Sequence, residues 1–409
     1  MAGKSVGLYI HIPFCRSKCD YCDFYSMAGR EHSMDDYQKA LIAHMTETAP
    51  LAKEYQVDTV YFGGGTPSYY GAKRLCELLK VIRRQFRVSK EAEITLEGNP
   101  DSVEVKMLTA LRRAGFNRLS LGMQSACDAE LAELHRPHTF QQVREAVEAA
   151  RKAKLKNVSL DLIFGLPGQT LERWKENLEA AVALEPEHLS CYGLTVEPNT
   201  PLGRRVAGGA PIPDDDLQAD CYLWTVDRLR EAGYHQYEIS NFAKTGRQSR
   251  HNMKYWMGRE YLGFGPGAHS DFGGCRYAFV KDLDGYIRGV MEGAPLLSES
   301  ELIHKRERSG EYLMLRLRTS HGIEEWEYRR EYYMNFDPLA VKLAEYEQKG
   351  LAARVDRRWR LTPEGFLLSN QIIGTLIELQ ESATLENTLE KVKQNQVPKS
   401  KQHKDEKNR

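Results

Sequence analysis

Six short β-like runs, each followed by room for a helix, constrain this chain more than any other feature. They lie at 6–11, 59–62, 93–97, 118–122, 158–163 and 188–192. Between them, 37–45, 73–86, 105–114, 141–154 and 174–184 carry the 3.6-residue periodicity of amphipathic helices. Neighbouring parallel strands need a crossover of helix length, so this alternation predicts an α/β fold with helices outside a parallel sheet. Six repeats fit a partial (β/α)6 barrel, although a doubly wound sheet would produce the same string.

The residues at the strand ends favour the barrel. The first run leads to Cys15, the second to Gly63-Gly64-Gly65-Thr66-Pro67, and the third ends in Glu97-Gly98-Asn99-Pro100. The fourth ends in Gly122-Met123-Gln124-Ser125, the fifth contains Asp161 before Gly165-Leu166-Pro167, and the sixth gives way to 195–201. In a barrel these ends share one face, the usual place for an active site.

Beyond residue 200 the pattern changes. A Pro and Asp loop at 211–216 precedes a helix over 219–232, and the glycine- and aromatic-rich stretch 255–274 reads as irregular. A second unit is expected over 295–380, with helices at 312–317, 326–333 and 339–348, then a hairpin at 352–361 and a helix from Pro363. That order predicts a small winged-helix-like domain. Residues 381–409 are Lys, Gln, Asn and Glu with few apolar side chains, which predicts a disordered charged tail.

Composition narrows the function. The 57 Lys and Arg balance the 57 Asp and Glu across 409 residues, which argues against a general nucleic-acid partner. The start shows no apolar leader, and no apolar run approaches a membrane span, so a cytoplasmic protein is expected. In that compartment a cysteine cluster signals metal rather than disulfide. Cys15, Cys19 and Cys22 form such a cluster; Cys76, Cys127, Cys191, Cys221 and Cys275 are scattered and read as buried small hydrophobes.

Three thiols within eight residues can hold three irons of a [4Fe–4S] cube and leave the fourth iron open. A Cys₃ zinc site completed by His11 or Asp20 is the competing reading. The glycine run alone is a weak signal, since it also makes a tight turn. Glu97, Gln124, Arg136 and Asp161 fall on or near buried strand ends. Asp and Glu are disfavoured inside strands and need partners when buried. They form either an internal ion-pair network or a ligand cradle.

The spacing Cys15-x₃-Cys19-x₂-Cys22, with Tyr21 before the last cysteine, resembles the radical S-adenosylmethionine (SAM) family. The resemblance implies a [4Fe–4S] cluster on the three thiolates, with SAM chelating the open iron and cleaved to a 5′-deoxyadenosyl radical. It further implies that Gly63, Gly64, Gly65 and Thr66 lie against the methionyl amino group and that Arg136 pairs with the methionyl carboxylate. Glu97, Gln124 and Asp161 would take ribose hydroxyls and other polar edges. Tyr9 would point at the sulfonium, with Tyr21 and Phe24 also beside SAM.

Within that family the HemN-like subgroup is matched over nearly the whole chain. The matching segments are Tyr9-x-His-Ile-Pro-Phe-Cys15, Leu119–Gln124, Leu134–His138, Asp161–Pro167 and Arg360–Asn370. The dehydrogenases of this subgroup, which decarboxylate coproporphyrinogen III propionates to vinyls, have a fourth cysteine where this chain has Phe24. They also carry a longer arm before the cluster loop than the 14 residues preceding Cys15 here. Both departures fit the sister branch of haem chaperones, whose mark His-Asn-x-x-Tyr-Trp stands here at 251–256. That resemblance implies haem as a carried ligand, with His251 as candidate iron ligand, Tyr255 and Trp256 against the porphyrin, and His269 as a second candidate. It also implies haem-accepting partner proteins, some of them membrane-associated, and an electron donor. Lys391, Lys393, Lys399, Lys401, Lys404 and Lys407 read as a solvated end, with attraction to an anionic inner membrane face as the alternative.

Overall fold

The computed structural model describes residues 3–396, with side chains through Ser382. The chain divides into two compact units between His304 and Lys305.

The first unit is built on β1 (Ser5–Ile12), β2 (Gln56–Gly64), β3 (Val88–Gly98), β4 (Arg118–Gln124), β5 (Val158–Phe164) and β6 (His188–Gly193). These strands run parallel, side by side in chain order. Their crossovers hold α1 (Met34–Thr48), α2 (Ala72–Gln85), α3 (Val105–Ala114), α4 (Asp128–Glu133), α5 (Phe140–Lys152) and α6 (Leu171–Val182). All five helices expected from periodicity are present; α4 was not foreseen.

Alternation along these strands explains the barrel. Val6, Leu8, Ile10 and Ile12 are fully buried on one face of β1, as are Val158, Leu160 and Leu162 on β5. The other face is polar: Thr59 and Tyr61 on β2, Glu93 and Glu97 on β3, Arg118 and Ser120 on β4, Asp161 on β5, His188 and Ser190 on β6. Side chains on alternate residues point to opposite faces. A parallel sheet with a buried polar face needs those groups to meet one another, which curvature into a barrel achieves. The loop after β1 accordingly reaches the loops after β4 and β6. The Asp20 N–H donates to the Leu134 carbonyl at 3.3 Å, and the Asp20 carbonyl accepts from the Leu202 N–H at 2.9 Å.

The unit continues through α7 (Pro201–Ala207), α8 (Asp215–Glu231), β7 (His235–Glu238), β8 (Asn241–Ala243), α9 (Arg250–Trp256), β9 (Tyr261–Phe264), β10 (His269–Phe272), β11 (Cys275–Phe279), α10 (Leu283–Glu292) and β12 (Leu297–Leu302). β8 pairs antiparallel with β6, and β9 pairs parallel with β1, so both edges of the parallel core are extended. The segment 255–274, expected to be irregular, therefore contributes β9 and β10. β12 pairs with β11, so residues 297–302 belong to the first unit rather than the second.

The second unit comprises α11 (Lys305–Arg316), β13 (Ile323–Glu324), α12 (Glu325–Tyr332), α13 (Asp337–Gln348), β14 (Ala352–Val355), β15 (Arg358–Leu361), α14 (Pro363–Leu367) and α15 (Ser369–Gln396). The predicted hairpin is β14–β15, turned at Asp356 and Arg357 with φ of 49° and 68°. Leu313, Leu317, Ile323, Tyr328, Phe336, Leu339 and Leu343 form its fully buried core. α15 corrects the expectation of disorder from residue 381, because helix continues to Gln396. Leu, Glu, Lys and Gln are good helix formers even where they bury little. Lys399, Lys401, Lys404 and Lys407 lie outside the described residues, as do the side chains of Lys391 and Lys393.

Candidate functional site

A cavity of about 510 Å³ opens at the C-terminal ends of the parallel strands. Cys15, Cys19 and Cys22 all line it. Their loop is pinched at its base, where the Cys15 N–H donates to the Met27 carbonyl at 2.9 Å and the Met27 N–H to the Pro13 carbonyl at 2.8 Å. Burial pushes the Cys15 and Cys22 thiols up from their ordinary range, so the thiolates need an electropositive partner. Two side chains already donate to sulfur: Thr66 to Cys15 Sγ at 3.4 Å and Arg136 Nη1 to Cys19 Sγ at 3.2 Å.

Neither proposed fourth zinc ligand is available. His11 Nδ1 lies 3.0 Å from the Tyr9 hydroxyl and Nε2 lies 2.8 Å from the Tyr25 carbonyl. Asp20 instead ties the loop down, 3.0 Å from His135 Nδ1 and 3.7 Å from Arg205. Among the described residues no three His, Cys, Asp or Glu side chains gather as ligands of one ion would. A cluster in which each thiolate takes its own iron needs no such convergence.

The glycine run after β2 is dictated by close approach. Gly64 sits at φ +115°, and a Cβ there would fall 2.6 Å from the His11 ring. A Cβ on Gly65 would fall 3.0 Å from Cys15 Sγ. Glycine here keeps a side chain from crowding the cluster ligand, while the Gly64, Gly65 and Thr66 N–H groups already donate to Glu97 and to the Ile12 and Phe14 carbonyls. Thr66 completes the run and lines the cavity with Gly64 and Gly65.

The charged groups continue the cavity wall from the glycine run. Glu97 accepts from the Tyr61 hydroxyl at 2.6 Å and from the Gly64 N–H at 3.1 Å. Burial, helped by the nearby Asp161 charge, raises its pKa to about 7. Asp161 accepts from three strands, namely Ser120 at 3.1 Å, Ser159 at 3.3 Å and Ser190 at 2.7 Å. Burial still raises its pKa, so the three hydroxyls only partly replace water. Arg136 reaches Cys19, Asn99 and the Gly122 carbonyl. Its Nε is buried with no partner. Gln124 stands at φ +62° where β4 slips register against β5. That left-handed geometry is uncommon for a side-chain residue and turns Gln124 toward the cavity.

The donor set fits a [4Fe–4S] cluster with SAM. Three thiols share one cavity, bare glycines flank one of them, and Arg136, which also lines it, keeps one guanidinium N–H without a partner. Most predicted residues are thus brought together: Cys15, Cys19, Cys22, Tyr21, Phe24, Gly64, Gly65, Thr66, Glu97, Gln124, Arg136 and Asp161. Gly63 lies one step below, packed against Tyr61, Glu97 and Tyr9. Tyr9 departs from expectation. Its hydroxyl turns to His11, and its ring packs beside the stacked Tyr61 and His251 rings. Asn99, Ser120, Tyr192 and Glu197 also line the cavity and were not foreseen. The Gly98-Asn99-Pro100 turn was the signal available for Asn99.

The 251–256 motif lies elsewhere, on α9. His251 is 1% exposed, Nδ1 lies 2.8 Å from the Thr59 hydroxyl, and Nε2 lies 2.8 Å from the Tyr255 hydroxyl. Its ring stacks on Tyr61, with centroids 5.1 Å apart. Burial lowers its pKa to about 3, keeping it neutral. In this arrangement it closes the barrel floor and has no lone pair to give an iron. Tyr255 packs edge-on against His251 and Tyr261, and Trp256 ends the helix. His269 is 3.5 Å from Glu299 on the surface. Of the scattered cysteines, Cys191 and Cys221 are buried as expected, whereas Cys76, Cys127 and Cys275 are half-buried. Among the described residues no helix is long and apolar enough to cross a membrane.

Residues 9–181 match the Radical SAM superfamily and residues 303–368 the HemN C-terminal domain. The chain is 35% identical over 372 residues to a heme chaperone HemW of Bacillus subtilis, covering 90% of this chain and 98% of the relative. The chain belongs to the HemW family. The Escherichia coli heme chaperone HemW is likewise 35% identical, over 90% of this chain and 97% of its own length. The solved coproporphyrinogen III oxidase HemN of Escherichia coli, a radical SAM enzyme, superposes with a TM-score of 0.80 at 25% identity, covering 91% of this chain and 90% of that one. The α/β architecture is therefore that of HemN, while the full-length sequence likeness is to HemW. Membership of the radical SAM family implies a [4Fe–4S] cluster and SAM.

Proposed function

We propose that this protein is a haem chaperone, which binds haem and passes it to haem-requiring proteins on a scaffold that also holds a [4Fe–4S] cluster and SAM. The observation that carries this reading is the 35% identity to heme chaperone HemW proteins over 90% of the chain. Phe24, where the coproporphyrinogen dehydrogenases have a fourth cysteine, supports the chaperone over that enzyme. Haem acceptors, some at membranes, and an electron donor are the partners this reading requires.

In this proposal Cys15, Cys19 and Cys22 hold the cluster and leave one iron for SAM. Held by Cys15, Cys19 and Cys22, such a cluster would supply one-electron reducing chemistry toward SAM. The chain's own residues bind and orient. The Arg136 Nε–H, the one guanidinium group not already spent, would give the methionyl carboxylate a single charge-assisted hydrogen bond. The Gly64–Gly65 backbone lies along the methionyl group. Glu97 and Asp161, with Gln124, receive the ribose and adenine edges, and Tyr21 and Phe24 cover them from water.

The test is haem retention and transfer. Anaerobically purified protein with a full cluster should bind haem near one equivalent and deliver it to an apo-haem enzyme, restoring that enzyme's activity. Full iron and sulfide content without haem binding would refute the chaperone reading. Protoporphyrinogen formed from coproporphyrinogen III with turnover would restore the enzyme reading.

A further inference from the structure

Asp20 stands in the cluster loop next to Cys19, and His135 stands next to Arg136 in the turn that ends α4. The Asp20 carboxylate lies 3.0 Å from His135 Nδ1. We propose that Asp20 and His135 are positioning residues for SAM: their pair clasps the Arg136 turn to the cluster loop, so that the guanidinium is aimed only when that loop is folded. The proposal rests on the SAM-binding reading above.

The turn itself is the first argument. The His135 N–H donates to the Ala132 carbonyl at 3.0 Å, and the Arg136 N–H donates to the Leu131 carbonyl at 2.9 Å. These two bonds make a Schellman motif, which places a left-handed residue where His135 stands at φ +52°. Glycine adopts that backbone freely, and a side-chain residue does so at a cost. A histidine here gains little from burial, because its side chain is 68% exposed. What it adds over glycine is the bond to Asp20.

The pattern of contacts is the second. Cys19, Asp20 and Tyr21 meet Leu134, His135 and Arg136. The Asp20 N–H donates to the Leu134 carbonyl at 3.3 Å, and Arg136 Nη1 lies 3.2 Å from Cys19 Sγ and 3.5 Å from the Tyr21 hydroxyl. Tyr21 also packs on the apolar cluster of Leu134, Ile163 and Leu166. From the other side α7 holds the same residue. The Leu202 N–H donates to the Asp20 carbonyl at 2.9 Å, and Arg205 lies 3.7 Å from the Asp20 carboxylate and 2.7 Å from Glu133 at the end of α4. A displacement of the cluster loop therefore carries the Arg136 turn with it.

The consequence for Arg136 is the third. Asn99 and the Gly122 carbonyl hold Nη2, and Cys19 holds Nη1, so the far end of the guanidinium is fixed. Nε is the nitrogen without a partner, and it lies nearest the backbone. Its direction is set by the turn and the cluster loop together. A donor already aimed loses less freedom when it binds.

The test uses the full chain, reconstituted anaerobically, with iron and sulfide counted. SAM binding is read by equilibrium dialysis, and the reduced cluster by its electron paramagnetic resonance spectrum with and without SAM. His135→Gly keeps the turn and removes the clasp. It should hold a full cluster and unfold near the wild-type midpoint, since glycine suits φ +52°. It should nonetheless bind SAM about fivefold more weakly, the ceiling for so exposed a pair. Asp20→Ala should weaken SAM to the same extent and the double variant no further, because both remove one contact. His135→Asn, which tolerates the left-handed backbone and offers an amide N–H, should recover most of the loss. The spectral change on adding SAM should persist in every variant at higher SAM. A cluster-loaded His135→Gly protein that binds SAM as tightly as wild type would overturn the clasp and leave the SAM reading standing. So would a weakening that only follows loss of iron and sulfide. A wild type with a full cluster that neither binds SAM nor changes its spectrum would overturn both.

Discussion

The mouth and the floor of the barrel are made by the same six strands and are finished in opposite ways. At the mouth, Arg136 Nε is buried without a partner, Gln124 is held at φ +62°, and Gly64 and Gly65 leave backbone bare beside His11 and Cys15. At the floor, His251 uses both ring nitrogens, Lys254 is paired with Asp58, and Glu93 caps two backbone N–H groups of α9. Apart from Arg118, whose Nε and Nη1 have no direct partner, the floor groups satisfy one another and are architecture; the incomplete groups of the mouth border a cavity that a ligand can fill. The residue type is the same in both places. What differs is whether its hydrogen bonds are already spent.

The largest expected effect tests the floor. Glu93 is 6% exposed and is the first countercharge to Arg118, itself 2% exposed. Burial disfavours the Arg118 cation, and Arg118 Nε and Nη1 lack direct partners, so the carboxylate is needed. Glu93→Ala should cost about 3–5 kcal/mol, because it strands a buried charge and uncaps α9. Urea unfolding reads this directly, and a loss under about 1 kcal/mol would show that the floor is not held this way. At the mouth, Gly64→Ala should cost less stability, about 1–3 kcal/mol from its left-handed backbone. It should nonetheless lower iron and sulfide content more than Glu93→Ala does, since its Cβ meets His11 at 2.6 Å beside the cluster loop. A variant with normal iron and sulfide would break the contrast.

Much of the mouth was legible because a ligand reads short contiguous stretches at strand ends. Cys15–Cys22, Gly63–Thr66 and Glu97–Asn99 each carry their own signal. The parallel strands and their helices were legible because long periodic segments declare their faces. The floor was not. The presence of His251 is plain in the sequence, but which way a seven-residue helix turns is decided by Thr59, Tyr61 and Glu93, all from distant strands. β7 to β11 have three to five residues each, too few to show a period of two. α15 was misread past residue 381 because poverty in apolar residues there hid a run of good helix formers.

A smaller effect comes from protons. His251 has a folded pKa of about 3 against an ordinary 6.5. Burial is the main cause, with the Lys254 and Arg118 charges adding to it. As pH falls below 6.5 the unfolded chain takes up this proton and the folded chain does not. Stability is therefore lost progressively from pH 6.5 down toward 3. His251→Gln, which keeps a donor and an acceptor but cannot titrate, should flatten the profile by up to about 1.4 kcal/mol per pH unit over that window. Unfolding midpoints at a series of pH values check it. An unchanged slope would mean that His251 is solvated and the floor open.

The smallest effect on stability belongs to Phe24, 70% exposed at the rim of the cysteine cavity. Removing a ring that the fold does not bury should shift unfolding by no more than about 0.5 kcal/mol. If the ring covers SAM, Phe24→Ala forfeits part of the roughly 1.5–3 kcal/mol that a fully buried Phe contributes, on the order of 1 kcal/mol. That is roughly a fivefold weakening of SAM binding with the fold untouched. Equilibrium binding to the cluster-loaded protein separates the two quantities. Loss of affinity without loss of stability marks a group held ready for a ligand, the property of the mouth. Loss of neither would place Phe24 outside the site and leave it as an exposed side chain where the related dehydrogenases have a cysteine.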